Sequence, residues 1–167
     1  MIHYLAYGSN LHPERLRRRV PSSHALGYVQ LNGYQLTFNK RGIDASGKCD
    51  AYFTGNSADY LIGVVYSLQA DERIFLDRAE DLGNSYQLCT ERVIFNQNEM
   101  ELFFYVASAE FIQPGIAPYY WYKSFVTEGA KFHNLPAHYI SKLSATPAKS
   151  DPDPDRHQLH QEILDAL

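Results

Sequence analysis

The sequence predicts an α+β domain built around a twisted or barrel-closed antiparallel sheet. Three observations predict it. Short runs rich in Val, Ile, Tyr and Phe recur along the chain, separated by Asn- and Gly-containing turns. Helical periodicity is confined to a few stretches between and after these runs. No segment repeats another, so solenoid and propeller architectures do not apply.

The elements follow in order. Ile2 to Tyr7 reads as a buried strand. It runs into Gly8-Ser9-Asn10, a turn-forming triplet, and Pro13 falls where a first helical residue belongs. Glu14 to Arg19 is then a short helix closed by Pro21. Strand character returns at His24 to Leu31, Tyr34 to Phe38, Asp50 to Thr54 and Leu61 to Leu68, then at Tyr86 to Phe95 and Glu99 to Ser108. Asn32-Gly33 and Asn96-Gln97-Asn98 read as hairpin connections. Asp71 to Leu82 carries Phe75, Ala79 and Leu82 at helical spacing. Pro118 to Phe132 sets Tyr122, Phe125, Val126, Gly129 and Ala130 on one stripe, and Pro136 to Leu143 follows. The domain is expected to occupy residues 1–145. Residues 146–167 form a Pro- and Asp-rich linker and a short C-terminal helix bearing Leu159, Ile163 and Leu167, expected to be dispensable for folding.

Composition narrows the function. The 167 residues are one domain's worth of chain, and 45% apolar residues suffice to bury a core. Lys and Arg number 15 against 19 Asp and Glu, a net charge of −4, so neither nucleic acid nor an anionic membrane is an expected partner. No apolar run approaches the roughly 18–20 residues of a membrane span. Met1 to Tyr7 lacks the basic-then-apolar order of a signal peptide. Cys49 and Cys89 are too few for a disulfide framework and read as inert thiols. His157 and His160 share a helical face without a Cys or carboxylate companion, which argues against a metal site. A reduced, cytoplasmic protein without cofactor is the expectation.

Three features could carry chemistry. The turn Tyr7-Gly8-Ser9-Asn10 precedes a helix, so unpaired N–H groups could receive a carboxylate or an oxyanion; a plain helix-capping turn is the simpler alternative. On the helix 71–82, Asp77 lies four residues after Arg73 and Asp81 three after Arg78. Glu80 has no cation at helical spacing and flanks the apolar stripe beside Asp77, a setting that suits a carboxylate working as base and then acid. A solvated surface Glu is the alternative. Tyr119-Tyr120-Trp121-Tyr122 covers every face of a helix start, and Tyr122 either packs in the core or lines a site. Arg15, Arg17, Arg18 and Arg19 read as a solvated helix face.

Taken in order, these pieces resemble the γ-glutamylcyclotransferase family. Tyr4-Leu5-Ala6-Tyr7-Gly8-Ser9-Asn10-Leu11 is similar to its opening signature, and Leu76-Asp77-x-x-Glu80 with Tyr86 to its catalytic-glutamate segment. Tyr122-Lys123, Gly129-Ala130-Lys131, Leu135-Pro136 and Tyr139 are similar to its C-terminal helix pair. The resemblance implies a mixed, mainly antiparallel sheet closed into a small β-barrel with flanking helices. It also implies conversion of a γ-glutamyl-amino acid, or a γ-glutamyl amine, to 5-oxoproline and the free amine, without metal or cofactor. Glu80 matches the general acid/base; Tyr4, Leu5, Ala6, Tyr7, Gly8, Ser9 and Asn10 match the loop that holds the γ-glutamyl group, and Tyr86 and Tyr122 line the pocket. Asp81 stands where the family commonly has Gly. The resemblance is compatible with a homodimer. A non-catalytic binding module on the same fold is the competing reading.

Overall fold

Five strands form one open, mixed sheet in the computed structural model, which describes residues 1–167. They are β1 (Ile2–Ala6), β2 (His24–Asn32), β5 (Tyr60–Leu68), β6 (Tyr86–Phe95) and β7 (Asn98–Ala107), in the spatial order β2-β5-β1-β7-β6. β1 runs antiparallel to β5 and parallel to β7. A separate ribbon pairs β3 (Tyr34–Arg41) with β4 (Gly47–Phe53). Central β5 is buried along most of its length, as its near-continuous apolar sequence requires.

The sheet does not close into the expected barrel. Its edges, β2 and β6, share no ladder, and a cleft of about 520 Å³ lies between residues 28–32 and 91–96. A side chain occupies the gap: the Phe95 ring comes within 3.2 Å of where a Cβ would stand on Gly27. Asn32-Gly33 is likewise no hairpin turn, because β2 pairs with β5 while β3 pairs with β4. Asn96-Gln97 does make the β6–β7 hairpin. Phe95 faces Asn98, and both turn residues have positive φ, 49° and 68°, which twists the pair in the right-handed sense.

The helices are α1 (Pro13–Arg19), α2 (Arg73–Ala79), α3 (Tyr120–Phe132), α4 (Ala137–Ser144) and α5 (Pro154–Leu164). Pro13 opens α1, whose cap is His12: its ring nitrogen accepts the Arg15 N–H. α2 ends before Glu80, short of the Leu82 that periodicity suggested. Asp81 turns left-handed at φ 52°, and the N–H groups of Asp81 and Leu82 return to the carbonyls of Arg78 and Asp77. That is the hydrogen-bond pattern of a helix stop normally built on Gly, here occupied by Asp.

Gly129 sets the distance between α3 and the turn after β1. A Cβ there would lie 2.4 Å from the Leu11 carbonyl carbon and 2.5 Å from the His12 nitrogen, so backbone rests on backbone. The tail is docked as well. Lys149 exchanges hydrogen bonds with Pro118 and Tyr120, Asp151 accepts from Trp121 Nε1 at 2.7 Å, and His160 stacks on the Trp121 ring at 3.7 Å. Ile163 is buried, whereas Leu159 and Leu167 face solvent.

Ending the chain at Pro147 should therefore uncover Trp121, the only tryptophan, red-shifting its emission and lowering the melting temperature. An unchanged spectrum and melt would restore the dispensable tail. Gly129→Ala should destabilise by about 1–3 kcal/mol, because overpacking against backbone outweighs the roughly 1 kcal/mol gain in helix propensity. Thermal melts check this. Burial lowers the pKa of His12 and His160 from 6.5 to about 4 in each case. The unfolded chain binds those protons first, so stability should fall as pH drops from 6.5 towards 4. Denaturant titrations of wild type beside His12→Asn/His160→Phe should show the slope flattened in the double variant; parallel slopes would refute it.

Candidate active site

β1 delivers its C-terminal end to the site. The chain leaves Ala6, turns through Tyr7 and Gly8, and enters a 3₁₀ turn at Ser9–Leu11. The turn's own hydrogen bonds start at the Leu11 N–H, which returns to Gly8; the N–H groups of Gly8, Ser9 and Asn10 find no acceptor in the protein.

These residues wall a narrow cavity of about 20 Å³. Tyr4, the turn residues 7–10 and Tyr105 of β7 form one side, and Cys49, Tyr86 and Tyr122 the other; Glu80 closes it from the end of α2. Leu5 and Ala6 contribute no wall. Strand alternation turns Leu5 to the opposite face, where it presses on Gly63 of β5, and Ala6 is fully buried beside it.

Glu80 is the one carboxylate of the cavity, and it is not the cation-free residue its helical spacing suggested. Its Oε1 accepts from Arg19 at 2.8 Å and from Asn10 Nδ2 at 3.1 Å, while Oε2 accepts nothing. Asn10 is itself held: Nδ2 donates to the Tyr4 hydroxyl at 2.9 Å and Oδ1 accepts from Arg19 at 3.0 Å. Arg15 and Arg19, one helical turn apart, therefore leave the solvated face they were assigned to. Arg15 donates to Ser9 Oγ at 3.1 Å and covers the Phe125 ring. Asp77 is no neighbour of Glu80 in charge terms, being engaged by Arg73 at 3.3 Å and the Tyr105 hydroxyl at 2.7 Å.

The remaining wall is neutral. Burial pushes up the pKa of Tyr4, Tyr7, Tyr86 and Tyr122, with the Glu80 charge adding in the same direction. Burial also pushes the Cys49 thiol up, which leaves it protonated and a poor nucleophile. Hydrogen bonds fix the rings: Tyr7 donates to the Tyr105 carbonyl, Tyr86 to the Cys49 carbonyl at 2.7 Å, and the Cys49 N–H donates to the Tyr122 hydroxyl at 2.9 Å. No group of three or more His, Cys, Asp or Glu is arranged to hold a metal ion, and no helix is long and apolar enough to cross a membrane.

Tyr105 and Arg19 escape a sequence reading. Tyr105 looks like any aromatic strand residue, and only its hydroxyl's partner across the chain separates it from core. For Arg19 the available signal is its i, i+4 relation to Arg15, which puts both on one face of α1.

Outside the cavity the walls open into a chamber of about 420 Å³ that shares Ser9, Glu80, Tyr86 and Tyr122 with it. The small site thus has a wide approach.

No protein-family model matches the chain. Two curated proteins do: the γ-glutamylcyclotransferases of Bos taurus, 26% identical, and of Homo sapiens, 27% identical. Each alignment covers 98% of this chain and 86% of the relative. A solved structure described as a γ-glutamyl cyclotransferase superposes with a TM-score of 0.82 over 96% of this chain and 98% of its own; at 22% identity it speaks for the fold. Over nearly its whole length this chain is thus similar to both mammalian γ-glutamylcyclotransferases, and it shares the fold of the solved cyclotransferase structure.

Proposed function

We propose that this protein converts a γ-glutamyl-amino acid, or a related γ-glutamyl amine, to 5-oxoproline and the free amine, with Glu80 as general acid/base. The observation that carries the reading is the shared cavity. The only carboxylate in it, with one oxygen tied and the other free, stands beside three N–H groups that lack acceptors.

The substrate brings its own nucleophile. Its α-amine and γ-carbonyl are already linked at five-ring distance, so the protein need only fold the chain and manage protons and charge. Glu80 takes a proton from the α-ammonium, whose ordinary pKa is about 8. The freed lone pair attacks the γ-carbonyl carbon, and the N–H groups of Gly8 and Ser9 receive the oxyanion. As the tetrahedral intermediate collapses, the attacking nitrogen loses its second proton. The C–N bond to the leaving amine breaks while Glu80 returns its first proton to that nitrogen; Glu80, ionised again, accepts the attacking nitrogen's second proton and passes it on as well, so the amine departs as an ammonium. Arg19 acts through Glu80: it holds Oε1 and leaves Oε2 without a partner.

Glu80→Gln tests the assignment. Turnover, read as 5-oxoproline released from a γ-glutamyl dipeptide panel, should fall by about 10²–10⁴-fold. The melting temperature should drop only slightly, because the pair with Arg19 is partly exposed and such pairs contribute about 0–1 kcal/mol. Near-full activity in Glu80→Gln would overturn the role. A wild-type protein inert on every γ-glutamyl compound, yet binding them, would favour the binding-module reading.

A further inference from the structure

The outer chamber carries a charge pattern that proton transfer at Glu80 does not use. Six of its wall residues are charged: Arg15, Arg19, Lys40, Lys48, Glu80 and Asp81. Four of these charges are already engaged. Arg19 pairs with Glu80, Lys48 pairs with Asp44 at 2.7 Å, and Asp81 accepts from Asn84 at 2.7 Å. Arg15 donates to the neutral Ser9 hydroxyl and covers the Phe125 ring, and pairs with no carboxylate. Lys40 has neither a hydrogen-bond nor an ion-pair partner, although the residue is 93% buried, being 7% exposed.

Lys40 is not there by default. β3 slips register between Thr37 and Lys40, and a bulge of that kind re-aims side chains. Here Phe38 and Lys40 both become buried, and the ammonium lies 4.9 Å from the Tyr86 ring centre and 5.4 Å from that of Phe111. Burial lowers its pKa, against the pull of the Glu80 and Asp81 charges. A largely desolvated ammonium without a counter-charge costs stability, and the Lys40 Nζ, which is not sealed from the chamber, carries that cost on the approach to Glu80. An incoming anion would remove it.

We propose that Lys40 and Arg15 form an anion subsite for the leaving group, so that the favoured substrates are γ-glutamyl compounds whose leaving part carries two carboxylates. The proposal rests on the cyclotransferase reading of Glu80. The γ-glutamyl end points towards the tyrosine-walled inner cavity, and the scissile bond lies at Glu80, on the border between the two spaces. The leaving amino acid then extends into the chamber. Its α-carboxylate meets one free cation and a side-chain carboxylate meets the other. A leaving amino acid with a neutral side chain satisfies one of them, and a simple amine neither.

γ-Glutamyl-glutamate and γ-glutamyl-glutamine differ in that one charge and little in shape. The wild type should show a kcat/KM for the glutamate dipeptide about tenfold higher, carried mainly by KM, as one added charged hydrogen bond implies. Lys40→Met should bring the ratio towards one, and Lys40→Arg should keep most of it. The same comparison is made by calorimetric binding in a Glu80→Gln background, with and without Lys40→Met, so that turnover is not required. Release of 5-oxoproline with equal ratios and equal Kd values overturns the subsite and leaves the catalytic reading standing. Tighter binding of the glutamate dipeptide that depends on Lys40, without 5-oxoproline from the wild type, supports the subsite and overturns the catalytic reading. Failure to bind either dipeptide overturns both. A Lys40→Met protein that does not fold is replaced by the salt dependence of wild-type binding, which should be steeper for the glutamate dipeptide; identical slopes refute the subsite.

Discussion

The contact between Gly129 and the Leu11–His12 backbone is the constraint on which the site depends. Helices normally stand 8–10 Å from a neighbour because side chains intervene. Here α3 meets the turn with no side chain between, and the missing methyl is what permits it. The turn is pressed into one position, with Gly8, Ser9 and Asn10 on the cavity wall. β1 fixes the turn from the other end, through ladders to β5 and β7. A loop that joins a central strand to a helix, clamped from both sides, resists the motion that surface connections usually show. Catalytic geometry tolerates little movement, so rigidity here serves chemistry more than stability.

Glu80 obeys a second constraint, its place just past the end of α2. A carboxylate at a helix C-terminus sits at the negative end of the dipole, an unfavourable position unless something compensates. Arg19 and Asn10 compensate, both reaching from the α1 side to the same oxygen. The left-handed turn at Asp81 ends the helix there and swings the chain towards Tyr86. Asp enters that conformation at a cost of about 1–2 kcal/mol, less readily than Gly. Its side chain recovers part of this through Asn84. Asp81 therefore keeps the backbone path of a helix stop normally built on Gly.

What the sequence made legible follows from range. The β6 and β7 strands, their turn and the start of α1 rest on patterns a few residues long, and the residues state them locally: Asn96-Gln97, Pro13, alternating Val and Phe. The cavity-lining Tyr4, Tyr7, Gly8, Ser9, Asn10, Glu80, Tyr86 and Tyr122 were reached through motif order, which needs no geometry. Most of the failures are long-range. Arg19 is 61 residues from Glu80, so no helical wheel could pair them. That β2 and β6 stand apart, with the Phe95 ring over Gly27, joins residues 68 positions apart. The docking of residues 146–167 depends on Trp121, a residue that local periodicity could not assign to any partner. Lys40 is the extreme case, because a register slip in an otherwise alternating strand decides where it points.

These pieces also divide the site electrically. The inner cavity is lined by tyrosines and a thiol that burial keeps protonated at neutral pH, so Glu80 alone can exchange a proton there. In a low-dielectric pocket of this kind the single negative charge acts over a longer range than it would in water. The chamber outside is the reverse, with its acids paired or hydrogen-bonded and two cations free. In the reaction proposed above, a γ-glutamyl substrate would span that boundary with its scissile bond at it, because one carbonyl carbon joins the amine that attacks to the amine that leaves. The fold meets this geometry with one residue, Glu80, that belongs to both walls. Proton movement from the attacking nitrogen to the departing one then requires no second carrier.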